Sequence, residues 1–444
     1  MKKYNNIIRS FIIVLITLFC AQSPAFAIQT ISINQGHADP IPIAINKFAA
    51  ESNVSRLSNN ILDVITNDLK NSGLFRPISP AAFIENKTGV EHRPLFAAWR
   101  QINATVLVNG KVRRLESGNI EISFVLWDII AERDIAGEIL EMPEKLWRRA
   151  AHKIADTVYE RVTGDKGYFD TRVAYISETG GGKNKIRRLA IMDQDGFNHS
   201  YLTDGKNLVL TPRFSPKGDK ILYLSFLNRK ARIHLRDLKT GRDSILGNFP
   251  GMSFSPRFSP DGRAAVLSMA KDGVTNLFEI DLYTKKVTRL TSGGAISTSP
   301  SYSPDGSKIV FNSDRSGSRQ LYVMNADGSN VERISFGTGI YASPAWSPRG
   351  DYIAFTKQIP GEGFAIGVMR PDGSAERLIT NGYLTEGPTW APSGRVLMFA
   401  RGYVPYNKQS SRSRINMIDI TGYNEKEIPT PKDASDPEWS YSLD

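Results

Sequence analysis

A heptapeptide recurs five times in this 444-residue chain at constant spacing, and no other feature limits the possible folds as strongly. Each copy reads proline, any residue, an aromatic residue, serine or alanine, proline, any residue and glycine, and successive copies start 44 residues apart. A shortened sixth copy, Pro437-Glu-Trp-Ser440, follows after 49 residues. A period of about 40–45 residues with several short strands per unit is typical of the blades of a β-propeller. The complete copies begin at Pro212, Pro256, Pro300, Pro344 and Pro388.

The residues of the repeat predict four strands in each unit. The aromatic residue is large enough to fill the space between neighbouring blades. The Ser-Pro-x-Gly segment favours a tight turn, because proline fixes φ at one position and glycine accepts a positive φ at another. Apolar strands and polar turns follow, as in 308–312, 320–324 and 331–334. We therefore expect an innermost strand that leads into each turn and three strands after it.

The two ends of the repeat array complement each other. The segment from Tyr168 has three later strands but lacks the heptapeptide, whereas the C-terminal copy at Pro437 has no later strands. Pairing these two parts in one sheet would close a ring and leave no blade with an unpaired edge. We predict a six-bladed propeller over 168–444, with one split and five complete blades, closed by the C-terminal strand.

Residues 28–167 mix helical and strand patterns, which predicts an α/β domain. A turn at 116–118 separates two alternating segments, 104–113 and 119–129, as in a β-hairpin. The segment 30–34 also alternates like a strand, and we expect it to end at Gly36 and the proline-containing stretch 39–42. The apolar spacing predicts helices over 54–71, 95–102 and 144–162.

The first 27 residues are typical of a secretory signal peptide. Lys2, Lys3 and Arg9 supply a positive start, and 11–19 supply the apolar segment. Ala25 and Ala27 form the small-residue cleavage pattern, so that Ile28 would be the first mature residue. An uncleaved membrane anchor is an alternative. Lipid attachment at Cys20 is disfavoured because the bulky Phe19 precedes it.

Composition and motifs exclude several classes of function. A single cysteine excludes a disulfide framework and cysteine-based metal centres. The formal charge is +11, but no run of five Lys or Arg makes a nucleic-acid site. No Gly-x-Ser-x-Gly segment is present, and the five histidines have no metal-binding spacing. We therefore expect no catalytic residue, no cofactor and no metal. The histidines are His37, His92, His152, His199 and His234.

This combination of signal peptide, α/β domain and Pro-x-aromatic-Ser-Pro-Asp-Gly repeat resembles the TolB family, the periplasmic propeller proteins of the Tol–Pal system. The resemblance covers essentially the whole mature chain. It implies a non-enzymatic periplasmic adaptor that binds the peptidoglycan-associated lipoprotein Pal and the C-terminal domain of TolA, with other envelope lipoproteins as further candidates. It also implies a role in outer-membrane integrity and in constriction during cell division.

The resemblance implies positions for both partner sites. The TolA site corresponds to the start of the mature chain, although 34–37 depart from the more acidic or hydroxyl residues of the family. The Pal site corresponds to loops just before the Pro-x-aromatic segments, where residues two before each proline would surround the propeller axis. The TolA-binding residues are Ile28, Thr30, Ile31, Ser32, Ile33 and Asn34. The resemblance implies Met252, Ser255 and Thr298 as Pal-binding candidates. The equivalence of positions in a closed ring adds Phe254, Ala342 and Glu386.

Two other functions are open at this point. A propeller can bind glycans or small ligands in its central channel. The heptapeptide also occurs in propellers of prolyl-peptidase-like enzymes, so a propeller associated with a peptidase or a lyase is a further alternative. That alternative would require a catalytic constellation that the sequence does not show.

Overall fold

A computed structural model describes residues 39–85, 89–181, 184–227, 230–247, 249, 251–404 and 412–443. The predicted signal peptide with Ala25 and Ala27, and the predicted TolA-binding residues 28–34, lie outside the described residues. The described chain forms one mixed sheet with helices, followed by six four-stranded sheets. This confirms the predicted α/β domain followed by a six-bladed propeller. Within the described ranges, no helix combines the length and apolar character required to cross a membrane.

The N-terminal domain has three layers, with helices on both faces of one sheet. Its strands are β1 (Ile41–Ile45), β2 (Ala49–Ala50), β3 (Phe75–Pro77), β4 (Val106–Arg114), β5 (Asn119–Asp128) and β6 (Arg133–Pro143). Its helices are α1 (Ser55–Asn71), α2 (Phe96–Gln101) and α3 (Trp147–Thr163), with 3₁₀ turns at Ser52–Val54, Pro80–Ala82 and Glu144–Leu146. The sheet order is β3-β1-β4-β5-β6, and β2 pairs with β4.

The alternation of side chains along β1 divides the core of this domain. Ile43 and Ile45 belong to the cluster that contains the buried faces of α1 and α3. Ala44 belongs to a second cluster with Phe96 and Trp99 of α2. Since successive side chains of a strand point to opposite faces, β1 contributes to both cores at once.

Two strands of this domain differ from the sequence expectation. β1 begins inside the stretch 39–42, where we expected the chain to break. It lies between β3 and β4 in parallel pairing and is covered on both faces, so it has no apolar–polar alternation to reveal it. β6 pairs along β5 as an edge strand, and its charged residues hide its strand character.

The propeller consists of six sheets of four antiparallel strands. Blade 1 is split, because β30 (Asp433–Trp439) pairs with β7 (Arg172–Thr179), which continues into β8 (Ile186–Asp193) and β9 (Ser200–Tyr201). Blade 2 comprises β10 (Leu208–Phe214), β11 (Lys220–Leu227), β12 (Lys230–Asp237) and β13 (Asp243–Ile245). Blade 3 comprises β14 (Met252–Phe258), β15 (Ala264–Lys271), β16 (Val274–Asp281) and β17 (Val287–Arg289).

The remaining three blades repeat this order. Blade 4 comprises β18 (Ser297–Tyr302), β19 (Lys308–Ser313), β20 (Gln320–Asn325) and β21 (Glu332–Arg333). Blade 5 comprises β22 (Ile340–Trp346), β23 (Ile353–Ile359), β24 (Gly363–Met369) and β25 (Arg377–Gly382). Blade 6 comprises β26 (Leu384–Trp390), β27 (Val396–Gly402), β28 (Ser413–Asp419) and β29 (Lys426–Ile428).

The aromatic residues of the heptapeptide pack between blades, as predicted. Phe214 of blade 2 lies in a cluster with Ala174 and Ile176 of blade 1. The indole N–H of Trp390 in blade 6 donates to the carbonyl of Ala345 in blade 5 at 2.9 Å. Each of these aromatic residues therefore ties its own innermost strand to the preceding blade.

A β-bulge precedes the heptapeptide proline in each of the six described blades. The pairing between the innermost and second strands shifts register there in every sheet. The residue before the proline takes φ between 48° and 66°, in the left-handed region that few non-glycine residues adopt. Sixfold repetition identifies this bulge as a constant part of the blade. The bulge residues are Thr211, Ser255, Ser299, Ser343, Gly387 and Asp436.

The N-terminal domain contacts one axial end of the propeller, which we call the turn end because it bears the Ser-Pro-x-Gly turns. Asp165, just after α3, pairs with Arg349 at 2.8 Å and Arg395 at 3.5 Å, both at these turns. Arg149 of α3 donates to Asp170 and to the carbonyl of Leu443, each at 2.8 Å. The opposite end, where the innermost strands begin, we call the open end.

Candidate functional site

The Pal-binding candidates lie within the innermost strands and not in loops before them, which corrects the sequence expectation. Met252, Phe254 and Ser255 belong to β14, and the other three belong to β18, β22 and β26. The physical reason is the bulge. It interrupts the pairing for two residues but does not end the strand, so each strand starts before the candidates and continues through the heptapeptide.

Strand register shows which candidates are equivalent. In each blade, one residue of the innermost strand is the last to pair with the second strand before the bulge. Four of the candidates occupy this position, namely Phe254, Thr298, Ala342 and Glu386, and Leu210 and Ser435 occupy it in the other two blades. In a closed propeller these positions surround the axis near the open end. Ser435 was not among the predicted residues, although it stands two positions before Pro437 of the shortened copy. We call this set the inner ring: Leu210, Phe254, Thr298, Ala342, Glu386 and Ser435.

The other two candidates occupy different positions. Ser255 is the bulge residue of blade 3, with a φ of 50°, so its first role is in the backbone of the strand. Met252 is the first residue of β14 and is 47% exposed. It therefore lies at the mouth of the open end and not in the inner ring.

Met252 belongs to a set of apolar residues whose other members were not predicted from the sequence. An apolar residue stands four positions before each complete heptapeptide proline, and this constant offset was the available signal. Leu208, Met252 and Ile296 are 37%, 47% and 41% exposed, and the remaining two are half-buried. Exposed apolar patches on soluble proteins often mark binding sites for other proteins. We call this set the apolar rim: Leu208, Met252, Ile296, Ile340 and Leu384.

Thr298 is held in place by its neighbours. Its hydroxyl accepts a hydrogen bond from the side-chain amide of Asn312 at 2.9 Å. The next residue, Ser299, donates its backbone N–H to the hydroxyl of Ser268 in blade 3 at 3.2 Å. Thr298 is half-buried and hydrogen-bonded within its own blade, and the residue after it is bonded to blade 3, so the position of Thr298 is well defined.

Negative charge is concentrated on one side of the inner ring. Glu386 is its single ionisable member, and desolvation together with the nearby Asp436 carboxylate raises the pKa of Glu386 above the usual value. Asp436 is the bulge residue of blade 1, and its carboxylate accepts the backbone N–H of Thr211 at 3.2 Å. The open end thus combines an apolar rim with an acidic sector formed by blades 1 and 6.

Ion pairs occupy the channel between the inner ring and the turn end. Glu438 lies 3.5 Å from Arg213 and 3.2 Å from Arg257, and it accepts the hydroxyl of Thr389 at 3.3 Å. Burial and the neighbouring Arg257 lower the pKa of Arg213 to about 10, so it remains charged at neutral pH. The cavity beside Arg257, Glu438 and Tyr441 measures about 50 Å³. A cavity of this size can hold water molecules.

Comparisons with known proteins agree with this architecture. The family described as TolB amino-terminal domain matches residues 29–135, and the family described as TolB beta propeller domain matches 159–443. The Tol-Pal system protein TolB of Rickettsia massiliae (strain Mtu5) is 59% identical over 231 residues, which cover 52% of this chain and 52% of the relative. That of Rickettsia felis (strain ATCC VR-1525 / URRWXCal2) is 59% identical over 230 residues, or 51% and 52%.

In these matches, the chain spans about half the length of each curated relative. A solved structure, TolB from Acinetobacter baumannii, superposes with a TM-score of 0.79 over 91% of this chain and 98% of that chain. Its sequence identity is 24%, so this likeness concerns the fold. The propeller family matches well over half of the residues of this chain, and the chain therefore belongs to the TolB family.

Proposed function

We propose that the chain is a non-enzymatic periplasmic adaptor of the Tol–Pal system, which links Pal to TolA and supports outer-membrane integrity and constriction during division. Family membership and the similarity to Tol-Pal system proteins support this proposal. In the same proposal, residues 1–27 are a cleaved signal peptide, 28–167 form the N-terminal domain with a leading partner-binding segment, and 168–444 form the propeller.

The observation that carries the Pal assignment is the open end of the propeller. The N-terminal domain contacts the turn end, which leaves the apolar rim and the inner ring accessible. Central apolar and polar residues surrounded by a rim are the arrangement in which a few residues supply most of the binding energy. Such a concave surface suits a protruding part of a folded partner, and we assign this role to Pal.

The proposed TolA site precedes β1. Residues 28–34 lie outside the described residues, and the first described residues, Asp39 and Pro40, lead directly into β1 at Ile41. A segment in this position can offer its backbone to the sheet edge of a partner by strand addition. The two proposed sites therefore belong to different domains, and each can be altered separately.

The Pal assignment is tested with a matched pair of substitutions. Thr298→Arg places a long charged side chain in the inner ring. Thr288→Arg makes the same change in β17, the outermost strand of blade 3, where Thr288 is exposed and far from the axis. Calorimetric titration with purified Pal should show binding weakened at least about 30-fold by Thr298→Arg and unchanged by Thr288→Arg.

A third variant keeps the test informative if the half-buried Thr298 does not tolerate arginine. Met252→Asp alters an exposed residue of the apolar rim and should also weaken Pal binding. All variants are compared after their melting curves are shown to match that of the parent protein. Full Pal affinity in both Thr298→Arg and Met252→Asp would place the Pal site elsewhere on the chain.

A further inference from the structure

A histidine and two aspartates from distant parts of the sequence meet where the N-terminal domain contacts blade 1. His152 belongs to α3, Asp193 is the last residue of β8, and Asp195 lies in the turn that follows. One potential ligand atom from each residue lies within 4.8 Å of the other two. Ligand atoms of a tetrahedral ion such as Zn²⁺ lie about 3.5 Å apart, because each is about 2.1 Å from the metal, so small side-chain rotations would bring these three atoms onto a single cation.

The histidine is held as a metal ligand usually is. Its side chain is 3% exposed, and its Nδ1 lies 2.6 Å from a carboxylate oxygen of Asp68. The other carboxylate oxygen of Asp68 accepts the side-chain amide of Gln194 at 3.0 Å. Histidines that bind metals almost always direct their second ring nitrogen to a carboxylate, carbonyl or water, which fixes the orientation of the ring.

The remaining ring nitrogen of His152 has no hydrogen-bond partner among the described residues. Because Asp68 engages Nδ1, Nε2 is the nitrogen that remains available, and it is buried and unpaired. Buried polar atoms are nearly always hydrogen-bonded, so an unpaired one requires an explanation. A cation bound by Nε2 and the two carboxylates would supply the missing partner.

Charged side chains of both signs surround the cluster. Arg148 contacts Asp195 at 2.5 Å and Asp193 at 3.4 Å. Lys426 is close enough to interact electrostatically with Asp68 and Asp195. A cleft of about 210 Å³, lined in part by Arg148, His152, Asp193 and Asn198, opens beside them.

We propose that His152, Asp193 and Asp195 bind a divalent transition-metal ion, for which Zn²⁺ is the best match, and that this ion fastens the N-terminal domain to blade 1. Zn²⁺ accepts imidazole nitrogen and carboxylate oxygen ligands and is commonly four-coordinate, with water in an open position. Ca²⁺ and Mg²⁺ prefer oxygen ligands alone. Because the histidine comes from one domain and the aspartates from the other, the ion would stabilise their contact.

Direct binding measurements test the site on the full mature chain, purified without a histidine tag. Competition with a chromophoric Zn²⁺ chelator should show one ion bound per chain, and the melting temperature should rise with Zn²⁺ concentration. Asp193→Asn and Asp195→Asn should each weaken Zn²⁺ binding at least about tenfold. Asp204→Asn, an exposed aspartate of the same blade, should bind like the parent.

Two results would overturn the proposal. One is the lack of saturable 1:1 Zn²⁺ binding by the parent protein. The other is an unchanged affinity in both carboxylate variants, which would show that the ion binds elsewhere. Melting curves in chelator establish that each variant is folded, and anomalous scattering at the zinc edge locates the ion independently of stability.

Discussion

Trp439 donates its indole N–H to the hydroxyl of Thr171 at 2.7 Å, although 268 residues of sequence separate them. Thr171 immediately precedes β7, the strand with which β30 pairs to close the ring. The ring of Trp439 also packs edge-on against Tyr168 at 5.7 Å, and Tyr168 packs edge-on against Tyr159 of α3. The C-terminal strand therefore joins the ring closure to the core of the N-terminal domain.

We expect Trp439→Ala to lower the free energy of unfolding by about 3–5 kcal/mol, because the side chain is 3% exposed and its loss leaves a cavity. Tyr283→Ala removes an aromatic ring that is 94% exposed and should have little effect.

Deletion of 436–444 should destabilise the protein further than Trp439→Ala, because it removes most of β30 and exposes an edge of β7. Urea denaturation measures all three, and equal midpoints for Trp439→Ala and the parent would contradict the closure argument.

The bulge before each proline predicts a difference between two glycines. Gly387 has a φ of 66° and open space where the Cβ of an alanine would lie, whereas Gly294 is equally uncrowded but does not have a positive φ. Alanine at Gly387 should therefore be about 1–2 kcal/mol less favourable than alanine at Gly294, since only the backbone conformation differs. Denaturation curves of Gly387→Ala and Gly294→Ala test this. Equal effects would mean that the left-handed conformation carries no energetic cost here.

Asp156 of α3 predicts a pH dependence of stability. Its carboxylate accepts the backbone N–H groups of Phe169 at 2.7 Å and Asp170 at 2.9 Å. Burial raises the pKa of Asp156 to about 7 against the lowering effect of these two bonds. The folded protein then retains a proton that the unfolded chain releases above about pH 4. This group therefore makes the folded state lose stability as the pH rises from about 4 to about 7, with no further loss above that range.

Comparison of variants isolates this contribution. Asp156→Asn removes the titrating carboxyl, so its part of the pH dependence should be absent. Between about pH 4.5 and about pH 7.5, the range set by the pKa values of Asp156 in the unfolded and folded states, the free energy of unfolding should fall less in this variant than in the parent. Asp63→Asn changes an exposed aspartate of α1 and should leave the parent slope unchanged. An identical slope in Asp156→Asn and the parent would exclude Asp156 as the titrating group.

Removal of 28–38 tests the proposed TolA site. The described structure begins at Asp39 and β1 begins at Ile41, so the deletion removes no described strand and should leave the melting temperature and Pal binding largely intact. TolA binding should be lost, because the segment would supply the backbone hydrogen bonds of the complex. A Gly-Ser segment of equal length in place of 30–34 distinguishes sequence from length. Unchanged TolA affinity in the deletion variant would remove this segment from the proposal.

The sequence by itself determined the architecture of the propeller. Proline, glycine and aromatic residues at constant positions specify a turn and an inter-blade contact through local chemistry, so the period of 44 residues was sufficient to count the blades. The split blade was identified in the same way, because the heptapeptide at one end of the array and the later strands at the other end are each recognisable from local sequence. The long amphipathic helices α1 and α3 were also predicted from the sequence, because a helix with one buried face has apolar residues at regular spacing.

The tertiary structure alone decided the features that depend on distant neighbours. β1 is covered on both faces, so its apolar run shows no period, and its place in the sheet is set by β3 and β4. A constant offset before each proline marks the apolar rim in the sequence, but only burial in the folded protein shows which of these residues are exposed. His152 lies about 40 residues from Asp193 and Asp195 along the chain. Their meeting depends on how α3 docks on blade 1, which no local spacing of residues encodes.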